Sequence, residues 1–317
     1  MSSGELQQST PGAPQDLEEM LTALRNEAEA GASGGSTKPE RSHPAVAFYC
    51  GKRAVRLQVV PDGTDISHSE DSTLYVISLH QALLPAHYND SFSEEEHSLR
   101  LSSSEGLELL RTNWELLLWL LMPSVQISAS CDPMDGADDS SPISSWRELC
   151  CPLTWEDYKC LRRHGVMDRV HYSYVVFLRF YGWRLHNEEN GVLDRHRNWE
   201  ARYRLLVSPD QCCKCSLGGG VACDEVVRRW TCDDGVPCPY TALTRILKVL
   251  LELCFNRYAV NLVAFIIEEM SKGRLLFLQQ ILESVWFPIV VNSKQVADAD
   301  RDYLSRKLHH LTHSDSD

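Results

Sequence analysis

A chain of 317 residues with 43% apolar side chains can bury the core of one large domain or two ordinary ones, which excludes a wholly disordered protein. Lysine and arginine total 31 against 44 aspartates and glutamates, a formal charge of -13 that repels nucleic acid and anionic lipid unless a local basic patch reverses it. The longest unbroken apolar run, Leu116 to Met122, stops at Pro123, short of the roughly 20 residues that cross a bilayer, so a membrane-spanning receptor is not expected.

The first residues lack the charged-then-apolar pattern of a signal peptide and the arginine-rich pattern of a transit segment, so a cytosolic start is expected. The 12 cysteines are then expected as reduced thiols, and the acceptor pattern Asn89-Asp90-Ser91 as chance. Residues 1–44 read as a disordered tail rich in Ser, Gly, Pro and acid. Within it, Leu17, Met20, Leu21 and Leu24 mark a transient amphipathic helix. From residue 45 the ordered part begins. Val55, Leu57 and Val59 alternate with polar neighbours before a Pro-Asp-Gly turn, the pattern of a short strand or extended arm.

Residues 64–104 form a polar loop insertion interrupted by the apolar "LYVISLHQALLPAHY". Leu107, Leu110, Trp114, Leu117, Leu118 and Leu121 then share one face of a single helix that Pro123 stops. Residues 128–145 are acidic and turn-rich, a second loop insertion. Thr154 followed by Asp157 predicts a capped helix start behind Pro152, and Val166, Val170, Tyr174, Phe177, Leu178 and Tyr181 a central helix over 166–183. Residues 186–207 are charged on most faces, and 208–239 make a thiol-rich third insertion.

The most regular stretch comes last, with amphipathic helices over 240–256, 258–270 and 274–287. In the first of these, Leu243, Ile246, Leu247, Leu250, Leu253 and Cys254 form the buried stripe, which places Arg245, Lys248 and Glu252 on the opposite, polar side. Pro288 is expected to end the third. A fourth helix carries a narrower stripe of Tyr303, Leu304, Leu308 and Leu311, followed by a solvated tail at 312–317. No fixed-period repeat is present.

Six thiols, Cys212, Cys213, Cys215, Cys223, Cys232 and Cys238, lie within 27 residues. Four of them, Cys212, Cys215, Cys232 and Cys238, could hold one zinc ion. Only the first two have the spacing of a zinc knuckle, and the alternative is a surface insertion that happens to be cysteine-rich. His309, His310 and His313 include an i, i+4 pair but lack the neighbouring glutamate of a zinc hydrolase, so a solvated helix face is expected. Gly218 to Gly220 lack the Lys-Ser/Thr of a phosphate loop, and no Gly-x-Ser-x-Gly turn is present. Cys160 and His164 are an i, i+4 pair too weak to argue a catalytic dyad, so no enzyme is expected. In "DRHRNWEARYR", residues 194–204, cations interleave with Trp199 and Tyr203. That pattern suits a short acidic or aromatic peptide, less well a nucleic-acid strand in so acidic a chain, and otherwise an ordinary exposed helix.

The order of segments "WELLLWLLMPS", "PLTWEDYKCL", "VVFLRFYGWRL" with "NWEARYRLL", "LTRILKVLLELCFNRYAVNLVAFIIEEM" and "YLSRKL" resembles the conserved domain of the opioid growth factor receptor family over roughly residues 45 to 311. Its most specific pieces are Phe180-Tyr181-Gly182 with Arg184-Leu185, and Thr244 to Lys248 with Glu252-Leu253. The segment 208–239 departs from the pattern, lying where the family's connection is short. The resemblance implies an all-α, intracellular, non-enzymatic domain that binds Met-enkephalin and restrains proliferation from the nucleus and cytoplasm. It names no cofactor, and peripheral membrane association is left open.

The expected architecture is therefore all-α, a single multi-helix domain over 45–311 with a short extended or β N-terminal arm and long polar loops. An enkephalin-like peptide needs an aromatic slot with a carboxylate for its amine and a cation for its carboxylate. Trp199, Tyr203, Arg245 and Glu252 could supply these if their helices adjoin. The alternative is an intracellular helical scaffold for protein partners, with or without a zinc staple at the cysteines.

Overall fold

The computed structural model describes residues 17–32, 42–59, 70–84, 105–125, 141–207, 240 and 242–313. Within them the chain is mostly helical with two small antiparallel sheets, so the all-α expectation needs correcting by two strand pairs.

A helix, α1 (Leu17–Ala32), falls inside the expected N-terminal tail, with Met20, Leu21 and Leu24 packed against the core. Next comes α2 (Pro44–Tyr49), whose N-terminus is capped by His43 Nδ1 accepting from Ala45 N–H at 3.1 Å. The expected arm is strand β1 (Val55–Val59), and it does not stand alone. It pairs with β2 (Glu70–Leu74) from the first insertion, and Val55 bridges Ile143 from the second. Both insertions thus contribute to the fold. Ile143 is fully buried, and Arg53 ties the second to the arm by donating to Ser141 O at 2.8 Å and to Glu148 Oε2 at 2.6 Å. Helix α3 (Val76–Leu83) follows β2 and buries Val76, Leu79, His80 and Leu83.

The single helix expected over 107–122 is two, α4 (Glu105–Thr112) and α5 (Trp114–Leu121). Asn113 breaks it. The Asn113 side chain pairs with the Gln58 backbone as a neighbouring strand would, accepting from its N–H and donating to its carbonyl, both at 2.9 Å. Helical periodicity cannot reveal this, because both halves keep the same apolar face.

Helix α6 (Trp155–Leu161) starts as expected. Thr154 Oγ1 accepts from Asp157 N–H while Asp157 Oδ2 accepts from Thr154 N–H, each at 3.1 Å. The other carboxylate oxygen of Asp157 accepts from His43 N–H and Ser42 Oγ at 3.0 Å, pinning the arm. Helix α7 (His164–Tyr181) is the central one, packing on α2, α3, α5 and α6 through Val170, Tyr174, Phe177 and Leu178. Then come strands β3 (Trp183–Asn187) and β4 (Val192–Arg195), which the reading of 186–207 as merely charged missed, and α8 (Trp199–Val207).

Helix α9 (Ala242–Glu252) corrects the two-faced reading of its sequence. Arg245 and Glu252 are buried and Lys248 half-buried, whereas Cys254, assigned to the apolar stripe, is exposed. α9 lies beneath neighbours on nearly all sides, so its polar groups turn inward to partners rather than outward to water. Helix α10 (Asn256–Ser271) follows as expected. Pro288 does not stop the next segment. A 3-10 turn (Leu276–Leu278), the short α11 (Gln279–Ile281) and a π-turn (Leu282–Trp286) lead into α12 (Phe287–Val291), with Pro288 in its first turn. There the wide π-turn just before it makes room for the proline ring. Helix α13 (Asp298–His313) packs on α10 through Leu304, Leu308 and Leu311, but Tyr303, expected in that stripe, is exposed.

Candidate functional site

The segment around Trp199 is set by two glycines. α7 ends at Gly182 with φ +82°, its N–H donating to Arg179 and Leu178 carbonyls. A Cβ there would meet Trp199 Cα at 2.8 Å, so only glycine lets α8 begin where it does. The chain turns through Asn187 to Gly191. Asn187 Oδ1 accepts from Glu189 N–H at 2.8 Å, and Gly191, φ +74°, lies against the Tyr258 ring. The pair Asn190-Gly191 is a known turn signal in the sequence and could have revealed this hairpin. β4 then returns, Asp194 accepting from Arg184 Nη2 at 2.9 Å, and His196 N–H reaches the Gly182 carbonyl at 2.8 Å.

This frame presents Trp199 between two guanidiniums. Arg195 lies 4.6 Å and Arg274 5.3 Å from its ring centroid, and Tyr203 meets it edge-on at 5.1 Å. Beneath them Glu269 is 1% exposed. Arg274 donates to both of its oxygens from Nε and Nη2 at 2.8 Å, Tyr203 OH donates at 3.0 Å, and Arg195 Nε stands 3.8 Å away. Trp183 Nε1 donates to Tyr203 OH at 2.7 Å, and burial, then the Glu269 charge, pushes that phenol well above its usual range. Glu269, Arg274 and Trp183 carry no sequence signal that marks them as partners of Trp199, since they come from α10, the turn after it and β3.

Arg245 and Glu252 belong to a second set of contacts. Arg245 Nε donates to the Met122 carbonyl at 2.7 Å and its guanidinium lies 3.9 Å from the Trp119 ring centroid. Trp119 in turn meets Trp146, which carries Arg147 at 5.8 Å. Glu252 accepts from Val125 N–H and Ser124 Oγ at 2.8 Å. Burial raises the Glu252 carboxyl against those hydrogen bonds, and burial likewise lowers the Lys248 ammonium nearby. The structure therefore brings Trp199 and Tyr203 together, and Arg245 and Glu252 together on α9, each pair among its own partners.

The basic stretch 194–204 is not a solvated stripe. Arg195 faces Glu269 and Arg202 is buried, donating to the Phe180 carbonyl at 2.7 Å, while Arg197 is exposed. The Cys160–His164 pair comes apart as well. His164 pairs with Asp168 at 3.1 Å in solvent, while Cys160 Sγ meets Cys50 Sγ at 3.3 Å. His309 and His313 stack at 3.9 Å, but among the described residues no group of three or more His, Cys, Asp or Glu could hold a metal. Cys212, Cys215, Cys232 and Cys238 lie outside the described residues. Among the described residues no helix is long and apolar enough to cross a membrane.

Residues 149–211 match the family model of the opioid growth factor receptor (OGFr) conserved region. In this region the chain is similar to the OGFr family. No curated protein and no solved structure matches the chain. The OGFr region runs from the end of the 3-10 turn at Trp146–Leu149 through α6, α7, the β3–β4 hairpin and α8. It contains Trp199 and Tyr203 but not Arg245 or Glu252, which lie on α9.

Proposed function

We propose that the protein is an opioid growth factor receptor-type regulator that binds a short enkephalin-like peptide, with Met-enkephalin as the reference ligand, and restrains cell growth without catalysing a reaction. The observation that carries this reading is the half-exposed Trp199 within the OGFr region, flanked by the guanidiniums of Arg195 and Arg274. An indole face between two cations suits a peptide with aromatic side chains and a terminal carboxylate. A guanidinium carries five N–H donors, and Arg274 spends only two on Glu269. Tyr203 contributes by holding Trp199 edge-on. Arg245 and Glu252 serve in this reading to fasten α9 to residues 122–125 rather than to line the slot. No cofactor is required. A zinc staple at Cys212, Cys215, Cys232 and Cys238 would be a separate structural feature, and placement in cytoplasm and nucleus goes with the family reading.

Titration of the full chain with a fluorescent Tyr-Gly-Gly-Phe-Met pentapeptide tests it. Saturable binding is expected, weakened about tenfold by Trp199→Ala, the loss of one stacking and cation-π platform. A flat titration at high micromolar peptide would remove the receptor reading. The second reading, a helical scaffold for protein partners, draws on the tight crevice lined by Val170, Tyr174, Leu250 and Tyr258, which has no room for a water molecule, and on exposed Tyr75 and Ile77 of the α3 segment.

A further inference from the structure

We propose that Cys50 and Cys160 form a modification site, a dithiol that a low-molecular-weight disulfide converts into an intramolecular disulfide fastening the N-terminal arm to the OGFr region. The inference does not depend on peptide binding. The two residues are 110 positions apart, yet their sulfurs stand 3.3 Å from each other and both are thiols in the structure. Cys50 caps the C-terminus of α2 and Cys160 lies in the last turn of α6.

Neighbouring contacts hold the two helix ends in register. Asp157 of α6 accepts from His43 N–H and Ser42 Oγ just before α2, Arg169 donates to the Tyr49 carbonyl, and Tyr49 OH donates to the Leu121 carbonyl at 2.8 Å. The sulfurs are therefore presented to each other by a packed frame. Both side chains are half-buried, so a small disulfide can reach them. Burial and the adjoining Cys160 raise the Cys50 thiol, and Lys52 and Arg163 offset this only in part. The other described cysteines are placed differently. Cys150 and Cys151 direct their thiols to carbonyls of Trp146 and Glu148 in their own segment, and Cys254 is exposed with Arg162 Nη1 donating to it at 2.9 Å.

The reaction is two thiol–disulfide exchanges. The Cys50 thiolate attacks one sulfur of a small disulfide R–S–S–R, and a mixed disulfide forms as one R–S⁻ leaves and takes up a proton. Cys160 then loses its proton to solvent and attacks Cys50 Sγ, expelling the second R–S⁻, which is also protonated. Two protein thiols are oxidised and one small disulfide is reduced to two thiols. The new bond restricts the unfolded chain between residues 50 and 160 and should raise resistance to unfolding.

The test incubates the full chain in oxidised and reduced glutathione at graded ratios, blocks free thiols, and maps linkages by peptide mass spectrometry. The expected result is a Cys50–Cys160 linked peptide, reversed by reduced glutathione, and a melting temperature about 5 °C higher in the linked form. Cys160→Ser should stop the reaction at a glutathione adduct on Cys50 and remove the melting shift, whereas Cys254→Ser should leave the linked peptide unchanged. The proposal is overturned if the unsubstituted chain shows glutathione on Cys254 but no Cys50–Cys160 linkage at any ratio, or if Cys50 pairs with a different cysteine. Both readouts come from the unsubstituted chain and survive a folding failure of the Cys160 variant.

Discussion

Glu269 sits beneath two guanidiniums and a phenol at the floor of the Trp199 site, and its charge is tolerated there because every approach carries a donor. Glu269→Ala leaves the buried Tyr203 hydroxyl and the part-exposed Arg274 without that acceptor, and a loss of about 1–3 kcal/mol is expected from urea denaturation. Glu269→Gln, which keeps the shape, should cost less. Buried histidines supply a second expectation. Burial pushes His43 down to about 4 and His80 down to about 3 from an ordinary 6.5, with Asp157 partly restoring His43 and Arg169 further lowering His80. In the folded protein both stay neutral where the unfolded chain takes up protons. Their contribution is therefore intact above pH 6.5 and falls as pH drops toward 4 and then 3, by roughly 1.4 kcal/mol per pH unit for each ring. Urea midpoints between pH 7.5 and 5 should show this decline before most carboxylates titrate, and His80→Gln should make it shallower, leaving the share of His43 and of the similarly lowered His196. None of these roles was legible in the residue types. A histidine, a glutamate or an arginine in an amphipathic pattern reads as surface, yet Arg245 and Glu252 are both buried.

At the scale of elements, two joints carry predictions. Gly182 combines a left-handed backbone with a 2.8 Å approach of Trp199 Cα, so Gly182→Ala meets both conformational strain and a backbone clash. A destabilisation of at least about 2 kcal/mol is expected from thermal melts, together with an altered Trp199 fluorescence maximum, because α8 must shift. Asn113 forms the other joint, spending its amide on the Gln58 backbone and the Leu109 carbonyl. Asn113→Ala should cost about 2–3 kcal/mol and speed amide exchange at Gln58 specifically, since that N–H loses its buried acceptor. A substitution that lowered stability without touching Gln58 exchange would show that the break between α4 and α5 has another cause. Periodicity located the helices well, because burial of one face imposes a 3.6-residue repeat over many positions. It failed at Asn113 and Pro288, where one residue changes the path without disturbing the repeat, and at the β3–β4 hairpin, whose Asn190-Gly191 signal lay among charges.

At the scale of the whole molecule, one apolar core among the described residues extends from Ala45 to Leu311, and the OGFr region at its centre depends on the rest for cover. Tyr174, Phe177 and Tyr181 of α7 are each at most 1% exposed. Their neighbours include Trp114 before residue 149 and Tyr240 and Tyr258 after 211. A fragment limited to residues 149–211 is therefore expected to lack a cooperative thermal transition by circular dichroism, whereas the full chain melts in one. A sharp transition in the fragment would contradict a shared core. The sequence by itself determined the helical character, the order of the main helices and the resemblance to the OGFr family, since these depend on local periodicity and on short ordered motifs. Only the tertiary structure decided that the arm pairs with one insertion and bridges the other, that Trp199 shares its floor with Arg274 and Glu269, and that Cys50 meets Cys160. Such contacts join residues many positions apart, and no periodic constraint along the chain records which distant side chains packing will bring within a few ångströms.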